Sequence, residues 1–133
     1  MAFRYLGNVG GGEPSIGVFT VANDATIVHG QILTMTSSEA DEGTAGDATF
    51  LGMAIETVDN SADGQIVRAI YNPNAIYGYE DGTAHAGGDT LDLGAGGVIL
   101  ASNSNADFTV ITNNTASEIT KVIITPGEHW LHK

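Results

Sequence analysis

Apolar and polar residues alternate with a period of two, in short runs, along almost the whole chain. The runs are rich in Val, Ile, Thr, Tyr and Phe, and Gly, Asn, Asp or Pro bound each of them, which is typical of half-buried strands that end in turns. Nine runs follow one another: 17–21, 26–35, 49–58, 64–72, 75–80, 90–93, 98–101, 107–112 and 118–125. A spacing of roughly ten residues predicts an all-β fold of about nine short, mostly antiparallel strands, in a sandwich or a barrel.

Helical periodicity is hard to find in this sequence. The best candidate, residues 36–48, is small, acidic and interrupted by glycine, and it is therefore interpreted as a loop. The glycine-rich stretch 86–100 is interpreted as a hairpin. Leu91 and Leu93 are expected on one face of its first strand, with Thr90 and Asp92 on the other.

Composition excludes several classes of function. The 133 residues include 16 acids and only four basic residues, so the net charge is −12. Such a charge repels phosphate backbones and anionic membranes, and we expect no nucleic-acid or membrane partner. Hydrophobic residues make up 42% of the chain, enough for a packed core, and cysteine is absent. Neither a signal peptide nor an apolar run of about 18 residues is found, so we expect a soluble, unprocessed protein.

No catalytic constellation emerges from the sequence. The chain has no G-x-S-x-G elbow for a nucleophilic serine. His129 and His132 have a spacing that suits a metal site, but without a firm third ligand we interpret them as a solvated tail. Residues 59–64 resemble the start of a calcium loop, although Ile70 stands where a bidentate glutamate is needed. We interpret them as a turn and leave open a weak calcium site at Asp59 and Asp63. No catalytic, cofactor or metal residue is predicted, and we expect no enzyme.

The two ends of the chain are its most distinctive feature. Aromatic and apolar residues at the N-terminus precede a glycine-rich stretch with the composition of a linker. Residues 1–16 are therefore predicted to be an extended arm and hinge, and residues 17–133 a single all-β domain. The alternative is an N-terminal strand that completes the sheet of the same domain. The predicted contact residues for a partner are Phe3, Arg4, Tyr5, Leu6 and Trp130, the last being the single tryptophan.

The succession of strands and turns resembles the head decoration (capsid cement) proteins of tailed phages. In that family a strand that begins with glycine, here 30–35, leads to an apolar-Gly-apolar strand, here 50–54. A turn at 62–64 and a Gly-Gly-Asp element at 87–89 follow, and the resemblance covers roughly residues 26–100. The portion from Asn103 has no clear counterpart.

The resemblance implies a small β-barrel or β-tulip that acts as a homotrimer. It also implies a non-enzymatic protein, made in the host cytoplasm, that binds the major capsid protein on the virion exterior and stabilises the expanded shell. The alternative is a β-sandwich that binds carbohydrate or a cell surface, as in a phage fibre. That function would need an exposed aromatic platform, for which the candidates are Tyr71, Tyr77, Tyr79 and Trp130.

Overall fold

Short strands make up nearly all the regular structure of the chain in a computed structural model, which describes residues 3–47, 49–59, 64–94, 97 and 104–132. The strands are β1 (Arg4–Asn8), β2 (Ile16–Thr20), β3 (Thr26–Ile27), β4 (Ile32–Thr36), β5 (Glu39–Glu42), β6 (Phe50–Ala54), β7 (Val58–Asp59), β8 (Ile66–Ile70), β9 (Ala75–Tyr79), β10 (Thr90–Leu91), β11 (Phe108–Val110) and β12 (Thr120–Ile124). A turn of 3-10 helix, Trp130–His132, lies near the C-terminus. The predicted all-β class is confirmed.

The strands form two five-stranded sheets and one two-stranded ribbon. The first sheet has the order β1-β9-β12-β11-β10, the second has the order β2-β8-β6-β4-β5, and the ribbon pairs β3 with β7. Every named pair is antiparallel. The two edges of the second sheet approach each other near the end of β2, where Val21 and Ala40 form a parallel bridge. Within the described residues neither sheet closes into a barrel, so the molecule is a sandwich.

The main core lies between the two five-stranded sheets. Its members come from both sheets, and they include Phe50 and Met53 from β6 with Tyr77 from β9 and Phe108 from β11. The rings of Phe50 and Phe108 stack across the gap, with centroids 6.2 Å apart. Phe50 and Met53 reach the same core although they are three residues apart, because β6 bulges between them, where its register with β4 shifts.

A second core lies on the opposite face of the second sheet. Leu51, Val67 and Ala69 alternate with the members of the main core along β6 and β8, and they pack against Ile27 of the ribbon. β6 is consequently buried on both faces, since all five of its residues are buried. Burial on both faces explains the nearly continuous apolar sequence of β6.

The observed strands differ from the predicted runs in three places. Runs 26–35 and 49–58 each contain two strands, because the chain turns within each run between the ribbon and the second sheet. At the first turn, Gly30 has a φ of 92°, which favours glycine. β5 lies in the segment interpreted as a loop; Ser37 and Ser38 have φ values of 50° and 67° and form a two-residue hairpin turn to β4. Run 98–101 lies outside the described residues. No helix in the described ranges is long and apolar enough to cross a membrane.

Candidate interaction surfaces

The N-terminal residues form an edge of the first sheet. β1 pairs with β9, with Arg4 opposite Gly78 and Tyr5 opposite Tyr77. Phe3 is 3% exposed, and its ring centroid lies 4.9 Å from that of Tyr79. Residues 4–8, assigned to the arm in the sequence analysis, thus occupy the position that the alternative describes: a strand of the domain's own sheet. The division of the chain at residue 16 itself stays a prediction.

Two of the predicted contact residues lie on the outer face of the first sheet. Arg4 pairs with Glu80 at 2.8 Å between Nη2 and Oε1, and both side chains are more than half exposed. Leu6 is 41% exposed and lies over Gly78, where a Cβ would come within 2.9 Å of a Leu6 methyl carbon. Tyr5 is half-buried and donates a hydrogen bond from its hydroxyl to Asn8 Oδ1 at 2.8 Å. Arg4 and Leu6 are therefore accessible, whereas Phe3 is not.

The structure does not bring Trp130 together with Phe3. Trp130 packs against the second core and meets Phe19 edge-on, with ring centroids 6.2 Å apart. Phe3 belongs to the core between the two sheets, on the other face of the second sheet.

An exposed aromatic platform is not found among the four candidates for ligand binding. Tyr77 and Tyr79 are 1% and 5% exposed and belong to the main core. Burial raises the pKa of Tyr77. Tyr71 and Trp130 are half-buried, and each packs edge-on against Phe19 rather than presenting a free ring face.

The glycine-rich hinge is tied to the body at both ends. Asn8 donates through Nδ2 to the carbonyl oxygens of Gly12 and Glu13, at 3.2 and 3.0 Å. Asn74 donates through Nδ2 to Val9 O at 3.1 Å. Between these anchors Gly11 has a φ of 82° and open space around it, so this is a turn that suits glycine.

His129 is fully buried, and its interpretation as part of a solvated tail is wrong. Its Nε2 donates to Leu51 O at 2.9 Å, while its Nδ1 accepts a hydrogen bond from the backbone N–H of Leu131 at 3.0 Å. These two bonds require the neutral ring with the proton on Nε2. Burial lowers the pKa of His129, and the neighbouring His132 acts in the same direction. His129 therefore anchors the C-terminal segment to β6.

Two aspartates that the sequence did not single out as structural are buried. Asp92 is 2% exposed and accepts hydrogen bonds from Ser104 Oγ and from the backbone N–H groups of Asn105 and Ala106, at 2.7–2.9 Å. The expected placement of Asp92 on an open face is wrong, because these donors enclose it. Asp107 is fully buried and accepts from Leu93 N–H at 2.9 Å; burial raises its pKa.

No group of three or more metal-ligating side chains occurs in the described ranges. Asp59 lies in the ribbon strand β7, with Thr26 Oγ1 at 3.4 Å from its Oδ1. Asp63 lies outside the described residues, so a weak calcium site with Asp59 stays a prediction. The tightest ionisable pair is His85 with Asp81, 2.6 Å apart and both largely buried. Burial raises the pKa of Asp81, but hydrogen bonds from His85, Thr83 and Thr120 outweigh it and lower that pKa overall.

The most exposed apolar surface on regular structure lies on β2 and β8. Ile16, Val18 and Ile66 are 53%, 60% and 55% exposed. We name these three residues the β2–β8 stripe. Ile16 lies opposite Ile70, a member of the main core, and Val18 lies opposite Arg68. Directly opposite residues share a face of the sheet. The stripe therefore continues the main core beyond the part of the second sheet that the first sheet covers.

A cleft of about 400 Å³ lies beside this stripe. Phe3 and Tyr5 line it from the first sheet, and Met53, Ile55 and Ile70 line it from the second. Ile70 belongs to both the cleft and the ladder pair with Ile16. Cleft and stripe therefore adjoin at Ile70, and Arg4 and His29 add polar groups to the cleft lining.

Comparisons with known proteins show a shared fold. No protein-family model matches the chain, and no curated protein matches it significantly. Among solved structures, the crystal structure of the head fiber gp8.5 N base of bacteriophage phi29 matches it with a TM-score of 0.50. The two chains are 16% identical, and the match covers 84% of this chain and 95% of the other. At that identity the likeness establishes a common fold for most of both chains.

Proposed function

We propose that the protein is a non-enzymatic structural component of a bacteriophage head, which binds the outer surface of the capsid and stabilises the expanded shell. The observation that carries the proposal is the fold shared with the base of a phage head fiber over 84% of the chain. The sequence resemblance to head decoration proteins supports the same role. The partners in this proposal are the major capsid protein and two further copies of the chain in a homotrimer.

Surface chemistry supports attachment through the first sheet. Its five strands contain no Asp or Glu, although the chain has 16 acids, and they carry Arg4 and Lys121. Lys121 lies opposite Gly78 in the ladder, beside exposed Leu6. The one carboxylate placed beside Arg4, that of Glu80 just beyond β9, is paired with it. This face can therefore meet a shell with little charge repulsion, while the acidic remainder keeps closely spaced copies soluble. Many weak contacts, repeated around a closed shell, together give strong attachment.

The experiment is co-sedimentation of the purified protein with capsids assembled from the major capsid protein encoded in the same phage genome. Saturable binding to expanded capsids, and a higher temperature of capsid disruption in its presence, are expected. If all of the protein stays in the supernatant at every concentration tested, the proposal is rejected. Because Arg4 is exposed, an Arg4→Glu variant should fold normally. If the first sheet faces the shell, fewer copies of this variant than of the wild type should bind to each capsid.

A further inference from the structure

β2 is an outer strand of the second sheet. Its outer side meets β5 directly beyond Thr20, where Ala22 N–H donates to Ala40 O at 2.8 Å, and no strand is paired with it at Ile16 and Val18 within the described part of the chain. Tyr71 N–H donates to Ser15 O at 3.0 Å, and Val21 N–H donates to Gln65 O at 2.9 Å. Hydrogen-bonding residues alternate along an antiparallel ladder. The backbone groups of Gly17 and Phe19 therefore face β8, and those of Ile16, Val18 and Thr20 face away from the sheet.

The open edge of β2 has none of the features that protect edge strands from pairing. Such strands usually carry a charged residue, a proline or a bulge. β2 has the sequence IGVFT, which is uncharged, and its register with β8 runs without a shift. The nearest charges are Arg68, which lies opposite Val18 on β8 and pairs with Glu56, and the exposed acids Glu13 and Asp24 beyond the ends of β2. An uncharged edge is unusual in a chain of net charge −12.

Ile16 and Val18 present both their side chains and their backbone groups to a partner. Ile16 and Val18 carry the apolar stripe, and their outward N–H and C=O groups offer a ladder to one further strand. A strand added beside β2 would gain main-chain hydrogen bonds, and its alternate apolar side chains would extend the apolar stripe. Contiguous exposed apolar patches commonly mark interaction sites.

A second copy of the chain is not the occupant that fits best. Two β2 edges can pair with each other only about a two-fold axis, whereas the interfaces of a cyclic trimer join different surfaces. A segment of the shell is not subject to this symmetry constraint, and basic residues at its ends would complement Glu13 and Asp24.

We propose that the open edge of β2 captures an extended segment of the capsid subunit as an additional strand, with alternate aliphatic side chains packed against Ile16, Val18 and Ile66 and with basic residues at its ends. This inference rests on the proposed function and adds the surface and the mode of attachment.

Two substitutions at one residue test the two parts of the inference in the capsid co-sedimentation assay. Val18→Lys places a charge in the stripe. Val18→Pro removes an outward N–H, which an edge strand tolerates, and exchanges one uncharged apolar side chain for another. Each should weaken capsid binding about tenfold or more. The matched control is Val28→Lys, because Val28 is an equally simple aliphatic residue, 46% exposed, outside the stripe. Circular dichroism and urea unfolding would verify that all variants fold.

Each outcome decides the inference. Weak binding by both Val18 variants, with normal binding by Val28→Lys, supports strand capture. Wild-type affinity in both Val18 variants overturns it and leaves the proposed function intact. If light scattering shows that the Val18 variants dissociate a wild-type oligomer, the edge joins copies of the chain and the capsid segment is rejected as occupant. Failure of the wild type to bind capsids overturns the proposed function and this inference together.

Discussion

Gly52 shows how tightly single residues are constrained in β6, the strand that is buried on both faces. It has a φ of 147°, and a Cβ built on it would lie 1.8 Å from Ile70 O in the adjacent strand. Because the obstacle is backbone, no side-chain rotation relieves it. We expect Gly52→Ala to lower the free energy of unfolding by about 3 kcal/mol or more. Urea unfolding measures this, with Gly87→Ala as control, since Gly87 has no nearer neighbour than 3.4 Å. Equal stability of the two variants would contradict the placement of β6 against β8.

His129 provides a pH-dependent test of C-terminal burial. Burial lowers its pKa in the folded protein, whereas in the unfolded chain it takes up a proton near pH 6.5, the usual value. As the pH falls below about 6.5 the unfolded chain therefore binds more protons, and the free energy of unfolding decreases. His129→Gln removes this contribution. The stability difference between wild type and variant should be larger at about pH 7.5 than at about pH 5.5.

The control for that measurement is His132→Gln, because His132 is exposed. Its stability difference from wild type should change much less between the two pH values. A pH-independent difference for His129→Gln as well would show that His129 is accessible to solvent and that the C-terminal segment is not anchored on β6.

At the scale of elements, the role of β1 separates a docked strand from a free arm. Phe3 fills the main core between Tyr79 and Phe108, whose ring centroids lie 4.9 and 5.3 Å away. We expect Phe3→Ala to lower the free energy of unfolding by about 3–5 kcal/mol. Arg4→Ala removes only an exposed ion pair and should cost less than about 1 kcal/mol. Thermal unfolding of both variants distinguishes a docked strand from a free arm. If the arm were free in solution, Phe3→Ala would lower the free energy of unfolding as little as Arg4→Ala does.

Sequence periodicity identified the strands better than their limits, for physical reasons. Alternation predicts a strand from its own residues, and eight of the nine predicted runs contain one, the ninth lying outside the described residues. The β4–β5 hairpin escaped prediction because Ser37 and Ser38 occupy turn positions where Asn-Gly is usual. Burial of Asp92 depends on donors twelve to fourteen residues away. Such a partnership is set by the tertiary fold and leaves no local pattern.

The surface stripe illustrates the same limit. Val18 was predicted to be an ordinary half-buried strand residue, and Ile16 was assigned to the hinge. They are exposed because β1 ends the first sheet before it covers β2 and β8, and strand order cannot be read from alternation. The opposite holds for two aromatic residues considered for an exposed ligand platform. Tyr77 and Tyr79 are buried, because their side chains belong to the main core.

For the whole molecule, charge controls how copies assemble in the proposed trimer. Three chains that each carry −12 repel one another at low ionic strength, and this repulsion opposes any apolar contact between them. Raising the salt concentration from about 10 mM to about 150 mM shortens the screening length from about 30 Å to about 8 Å. We therefore expect the mass measured by light scattering to rise from monomer towards trimer over this range. A monomer under both conditions, together with saturable capsid binding, would mean that copies meet only on the shell. A trimer that is stable at the lower salt concentration would require an interface whose apolar or paired contacts outweigh the full charge repulsion.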